Sequence, residues 1–157
     1  MTGKIVAIFV ANQASAQVES VSEANLVAGR GIEGDRYFHG HGTFSKKLKD
    51  LPDRELTLVE AEEIDAFNKK HSTEFKHGDF RRNILTTGIR LNDLVGVQFW
   101  VGGVLVEGVR LCDPCKHLGT CLAPIVESEM AGRAGLRARI VNSGTVKVGE
   151  EIVRPAA

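Results

Sequence analysis

The sequence has no surplus of either charge. Its 157 residues carry 20 Lys and Arg against 20 Asp and Glu, a formal net charge of zero. Such a chain projects no overall field toward nucleic acid or an anionic membrane, so any anion it binds must be held by a local cluster. A long apolar run is also missing. The N-terminal "MTGKIVAIFV" contains a lysine and is too short to span a bilayer or to act as a secretory leader. It reads as a first strand, and the expected setting is cytoplasmic and reducing. Cysteine is scarce, with three in all, and an odd number excludes a complete disulfide framework. No internal repeat, low-complexity tract or linker divides the chain. With 43% hydrophobic residues to fill a core, residues 1–157 are expected to form a single domain.

The pattern that is present is mostly that of strands. "KIVAIFV" (Lys4 to Val10) is apolar and β-rich. The stretch from Ala11 to Gly42 predicts one or two short strands and then a long loop from about Gly29 to Lys49. A strand over Glu55 to Val59 leads into a helix with Ala61, Ile64, Ala66 and Phe67 on one face and Lys69, Lys70 and His71 near its end. "RRNILTTGI" predicts a strand that turns at Gly88. Strands over Gln98 to Val101 and Val104 to Leu111 flank Gly102-Gly103, a strong hairpin signal. "CLAPIVESEMAGRAG" suits a short helix, and "RARIVNSGTVKVGEEIVRP" reads as a second hairpin turning near Asn142, Ser143 and Gly144. Roughly seven short strands with one or two helices, in no regular alternation, point to a mainly β fold. The expected architecture is an antiparallel β-barrel with small helical insertions.

Four stretches could carry chemistry. "GRGIEG" (Gly29 to Gly34) matches G-x-G-x-x-G, but "DRYFHGHG" follows where a dinucleotide site needs a helix. A turn-rich loop using glycine for positive φ is the simpler reading, with Asp35 and Arg36 available to orient a ligand. "HGHG" (His39 to Gly42) offers two imidazoles on a backbone with no rigidity to converge them. "DFRRNILTTG" sets Arg81, Arg82 and Asn83 at the mouth of a strand. Arginine presents a forked, permanently charged donor suited to phosphate, and asparagine both a donor and an acceptor. The plainer alternative pairs the arginines with a local acid such as Asp79.

All three cysteines fall within "RLCDPCKHLGTC" (Arg110 to Cys121). Cys112, Cys115, His117 and Cys121 have the residue types of a zinc site, on a span tighter than such sites use. "CDPC" has thioredoxin-like spacing without a helix to open. An inert packed cluster is a third reading. The fourth is one activated thiolate, favoured by the flanking Arg110 and Lys116, that binds a soft metal or carries sulfur.

"GIEGDRYF" followed by "DFRRNILTTGIRLNDLVGVQFWVGGVLVEGVRLCDPCKHL" resembles the MOSC domain family, named from the C-terminal domain of molybdenum cofactor sulfurases. The likeness runs from about Val6 to Ile152 and rests on the order and spacing of the three landmarks. It implies a β-barrel that binds the pyranopterin molybdenum cofactor, with a cysteine thiolate on the metal. That cysteine corresponds to Cys115, with Cys112 as the alternative. Arg81, Arg82 and Asn83 would hold phosphate and pterin, joined by Gly34, Asp35 and Arg36 of the early loop and by Arg110. The implied activity is a molybdenum-dependent oxidoreductase acting on N-hydroxylated compounds. A sulfur carrier using a cysteine persulfide, and a non-enzymatic thiol or zinc module, stand beside it. The implied partners are a small N-hydroxylated substrate or a sulfur donor and an external electron-donor protein, with no nucleic acid and no membrane. Amidoxime-reducing members carry an extra N-terminal domain for which this chain has no room. A homodimer, another partner or a more open site would take its place.

Overall fold

A computed structural model describes residues 2–11, 18–35, 55–112 and 129–155. Within them the elements run β1 (Thr2–Val10), β2 (Glu19–Val21), β3 (Glu23–Val27), β4 (Gly31–Ile32), β5 (Leu56–Glu60), α1 (Ala61–His71), β6 (Ile84–Thr87), β7 (Gln98–Val101), β8 (Val104–Leu111), β9 (Leu136–Ile140), β10 (Gly144–Lys147) and β11 (Glu151–Val153). Two 3-10 turns, His77–Phe80 and Leu91–Leu94, lie between.

Seven of these strands close a ring in the order β1, β6, β5, β9, β8, β7, β11, and β11 pairs back onto β1 through Thr2 opposite Val153. Closure removes the exposed strand edges that an open sheet would carry. The barrel is mixed rather than wholly antiparallel, because β5 and β6 run parallel, with Leu58 opposite Ile84. Parallel neighbours need a crossover, and α1 lies in it. β2 continues the sheet beyond β1, while β10, β3 and β4 make a separate three-stranded sheet.

The expected hairpin from Arg137 onward does not form. The turn is where the sequence puts it, but β9 pairs with β5 and β8, whereas β10 pairs with β3. The turn residues make contacts that hold this arrangement. Asn142 Oδ1 accepts the Leu105 N–H, and Ser143 Oγ accepts the Ala28 N–H, so the chain passes from one sheet to the other. The expected helix in "CLAPIVESEMAGRAG" lies largely outside the described residues. Gly29, Gly31 and Gly34 are all at positive φ as expected, but Gly31–Ile32 pair with β3 as a short strand within the expected loop, whose residues 36–49 lie outside the described residues.

Alternation along the strands divides the core in two. Leu58, Ile84, Phe99, Val106, Leu136 and Ala138 belong to the cluster that fills the ring, and Ala24, Leu26, Ile32 and Val146 of the small sheet join it. Val59 and Leu85 point the other way and meet α1. There Ala61, Ile64 and Phe67 pack with Phe80, Met130 and Ala134. β5 is therefore buried on both faces from Leu56 to Val59. No helix among the described residues is long and apolar enough to cross a membrane.

Candidate functional site

Arg82 joins the Arg-Asn strand to the cysteine segment. Its Nε donates to the Ala134 carbonyl at 2.9 Å, and an Nη donates to the Cys112 carbonyl at 3.4 Å. The Cys112 N–H donates in turn to the Gly135 carbonyl at 2.8 Å. Gly135 itself lies close against β5. It sits at φ 111, and a Cβ there would collide with the Leu58 carbonyl. Arg81 ends the His77–Phe80 turn in the left-handed region at φ 61, which redirects the chain into β6. Asp79 caps its own turn, accepting the Lys76 N–H at 2.9 Å.

The other two landmarks connect to the same place. Asn83 is 3% exposed. Its Oδ1 accepts from the Thr57 N–H at 3.1 Å and the Thr57 hydroxyl at 3.0 Å, and its Nδ2 donates to the Phe9 carbonyl at 3.2 Å. Two residues beyond Phe9, the Ala11 N–H donates to Asp35 Oδ1 at 3.1 Å, and Asp35 is itself buried. Gly34 lies on the exposed turn before it. Asp35, Asn83 and Arg82 thus tie the early loop, β1, β6 and the cysteine segment into one hydrogen-bonded series. Ala11, Asp35 and Cys112 are the residues from which segments 12–17, 36–54 and 113–128 depart. Lys70 of α1 bonds Glu129 at 3.1 Å and thereby holds its carboxyl below the ordinary value of 4.5.

Arg110 is exposed near the end of β8 and stands directly opposite Arg137 of β9. A bulge at Val109, between Gly108 and Arg110, sets this register. Beyond the intervening Gly108 and Ala138 pair stand Glu107 and Arg139, joined at 2.9 Å. Sequence reading passed over Arg137 because the register that faces it with Arg110 is a tertiary fact. It also missed Glu55, whose buried carboxylate accepts from both the Gly29 and Ile140 N–H groups and so ties the glycine loop to β9.

Arg36 and Cys115 lie outside the described residues, as do the His39 to Gly42 stretch, His117 and Cys121. Among the described residues no group of three or more His, Cys, Asp or Glu is placed to hold a metal. Cys112 is 1% exposed.

The sequence matches the MOSC domain over residues 35–153. The chain belongs to the MOSC domain family. Its fold agrees with that of the YuaD protein from Bacillus subtilis, with a TM-score of 0.81 and 20% identity, covering 97% of this chain and 94% of YuaD. YiiM from Geobacillus stearothermophilus superposes with a TM-score of 0.75 at 17% identity, covering 98% of this chain and 75% of that one. YiiM from Escherichia coli gives 0.68 at 17% identity, covering 100% and 71%. At such identities the likeness is one of fold. No curated protein matches the sequence.

Proposed function

We propose that this MOSC domain binds the pyranopterin molybdenum cofactor beside the start of the cysteine segment and reduces N-hydroxylated compounds. The observation that supports this reading most is the pair of bonds from Arg82 to the Ala134 and Cys112 carbonyls. They draw a guanidinium from the Arg-Asn strand to the segment that carries the thiols. The donor set fits the anionic end of such a cofactor: Arg82 is linked to Cys112, and Arg110 lies two residues before it. Arginine holds phosphate by paired N–H donors and keeps its charge at any working pH. Asp35 and Asn83 have positioning roles, since their side chains are turned into bonds with Ala11, Thr57 and Phe9. The burial of Cys112 supports reading Cys115, three residues on, as the thiolate that would serve as a soft ligand for the metal. When bound, the cofactor supplies two-electron chemistry that converts an N–OH to N–H and water, with electrons from an external donor.

Elemental analysis of protein produced in cells that make the cofactor tests this. Stoichiometric molybdenum is expected in the native protein and in Cys112→Ala, with its loss in Cys115→Ala at unchanged circular dichroism. Native protein without molybdenum overturns the reading. A labile extra sulfur on Cys115 in that case would point to a persulfide carrier.

A further inference from the structure

His71 ends α1 with its Nε2 buried and, among the described residues, without a hydrogen-bond partner. The imidazole packs against the Phe67 ring, with centroids 4.6 Å apart. Glu129 Oε2 stands 3.7 Å from that nitrogen, which is too far for a hydrogen bond. The side chain is not sealed, with 16% of its surface exposed, so protons reach it. A second histidine contact on α1 is different. His77 Nε2 lies 2.8 Å from Asp65 Oδ1, a bond that a neutral ring already makes as donor. A buried polar nitrogen left unbonded is costly, and the surroundings of His71 offer its charged form a remedy. The last turn of a helix favours cations, and Glu129 adds a full negative charge. Lys70 holds the Glu129 carboxyl below its ordinary value, so it is ionised wherever a histidine titrates. Lys70 occupies Oε2 at 3.1 Å, but a carboxylate has lone pairs for further donors. Lys70 and Arg133, which also act on Glu129, oppose a charged ring and keep the gain modest.

We infer that His71 and Glu129 form a proton-operated latch between the end of α1 and residues 129–134. The latch is open while the ring is neutral. Protonation closes it through a hydrogen bond from Nε2–H to the Glu129 carboxylate. It acts on the cluster of Phe67, Met130 and Ala134, and Ala134 is the residue whose carbonyl Arg82 holds. Acidification therefore tightens α1 against the stretch that supports the candidate site. Closing on protonation stabilises the folded form in acid. That stabilisation is present below the range in which a free histidine titrates, about pH 6.5, and is lost on passing to alkaline pH. The latch does not depend on the proposed function.

The test is a double-mutant cycle of His71→Gln and Glu129→Gln, read by urea unfolding in acid and in alkali. The coupling is expected to change the unfolding equilibrium constant by about threefold at about pH 5.5 and to vanish at about pH 8. The cycle cancels the other histidines, which titrate in every variant. The His71 ring, followed by NMR, should titrate at a higher pH in the native protein than in Glu129→Gln. Equal coupling at both pH values describes a fixed contact and overturns the inference. So does the absence of coupling at either pH, or a His71 titration that Glu129→Gln leaves unmoved.

Discussion

Glu107 and Arg139 face each other across β8 and β9, and past the Gly108–Ala138 pair and the bulge Arg110 faces Arg137. The first pair is closed at 2.9 Å between half-exposed side chains and resembles the ion pairs found on many sheets. The second sets one arginine opposite another, and Arg137 is 9% exposed. Both pairs lie on the same two strands, with the bulge between Gly108 and Arg110 separating them. What differs is the demand on each pair. Glu107 and Arg139 need only each other, whereas Arg110 and Arg137 stand beside the segment that carries the thiols.

The register that separates the pairs depends on Gly108, and breaking it should have the largest effect. A Cβ at that position would strike the Leu94 carbonyl, and the Gly108 carbonyl and N–H are bonded to Gly96 and Val97. Gly108→Ala should cost about 3 kcal/mol in urea unfolding with an unchanged slope. A loss below about 1 kcal/mol would mean that the bulge tolerates a side chain and does not enforce the contrast. Double-mutant cycles should give couplings of opposite sign for the two pairs. Glu107 with Arg139 is expected to be favourable and Arg110 with Arg137 unfavourable, each by about 0.5 kcal/mol, with the first shrinking in high salt. Two favourable couplings would remove the distinction. The smallest effect concerns Glu60, at the end of β5, which has no arginine as close as the one Glu107 has. Burial, then Glu63, hold its carboxyl above the ordinary 4.5. Below that value both folded and unfolded forms are protonated. As pH rises through it the unfolded chain ionises first, so this group lowers stability toward neutrality. Glu60→Gln should therefore raise the urea midpoint slightly at about pH 7 and leave it unchanged at about pH 3.

The parts of the fold legible in the sequence were those fixed by local chemistry. Gly102-Gly103 marked the β7–β8 hairpin, and Ala61, Ile64 and Phe67 marked the buried face of α1, whereas Ala66, expected on that face, is exposed. The Asn142 to Gly144 turn was equally visible, yet the strands it joins pair elsewhere, because a turn does not specify which distant strand receives the chain. The site divides in the same way. Residue type picked out Asp35, Arg82 and Asn83, but type does not reveal that two of them spend their side chains on Ala11, Thr57 and Phe9. Arg137 was hidden within "RARI", where alternation shows that Arg137 and Arg139 share a face but not that their partners differ in sign.

The closing strand β11 carries a consequence for how the barrel is made. It pairs with β7 on one side and with β1 on the other, joining Thr2 to Val153. Until residue 153 has been synthesised, both of those strands must wait with an open edge, and the contact that completes the ring spans almost the whole sequence. Such a topology folds late and slowly, and it offers sticky strand edges to other nascent chains while it waits. The strand order makes the β11 pairings the last that can form as the chain emerges, so ring closure depends on its final strand.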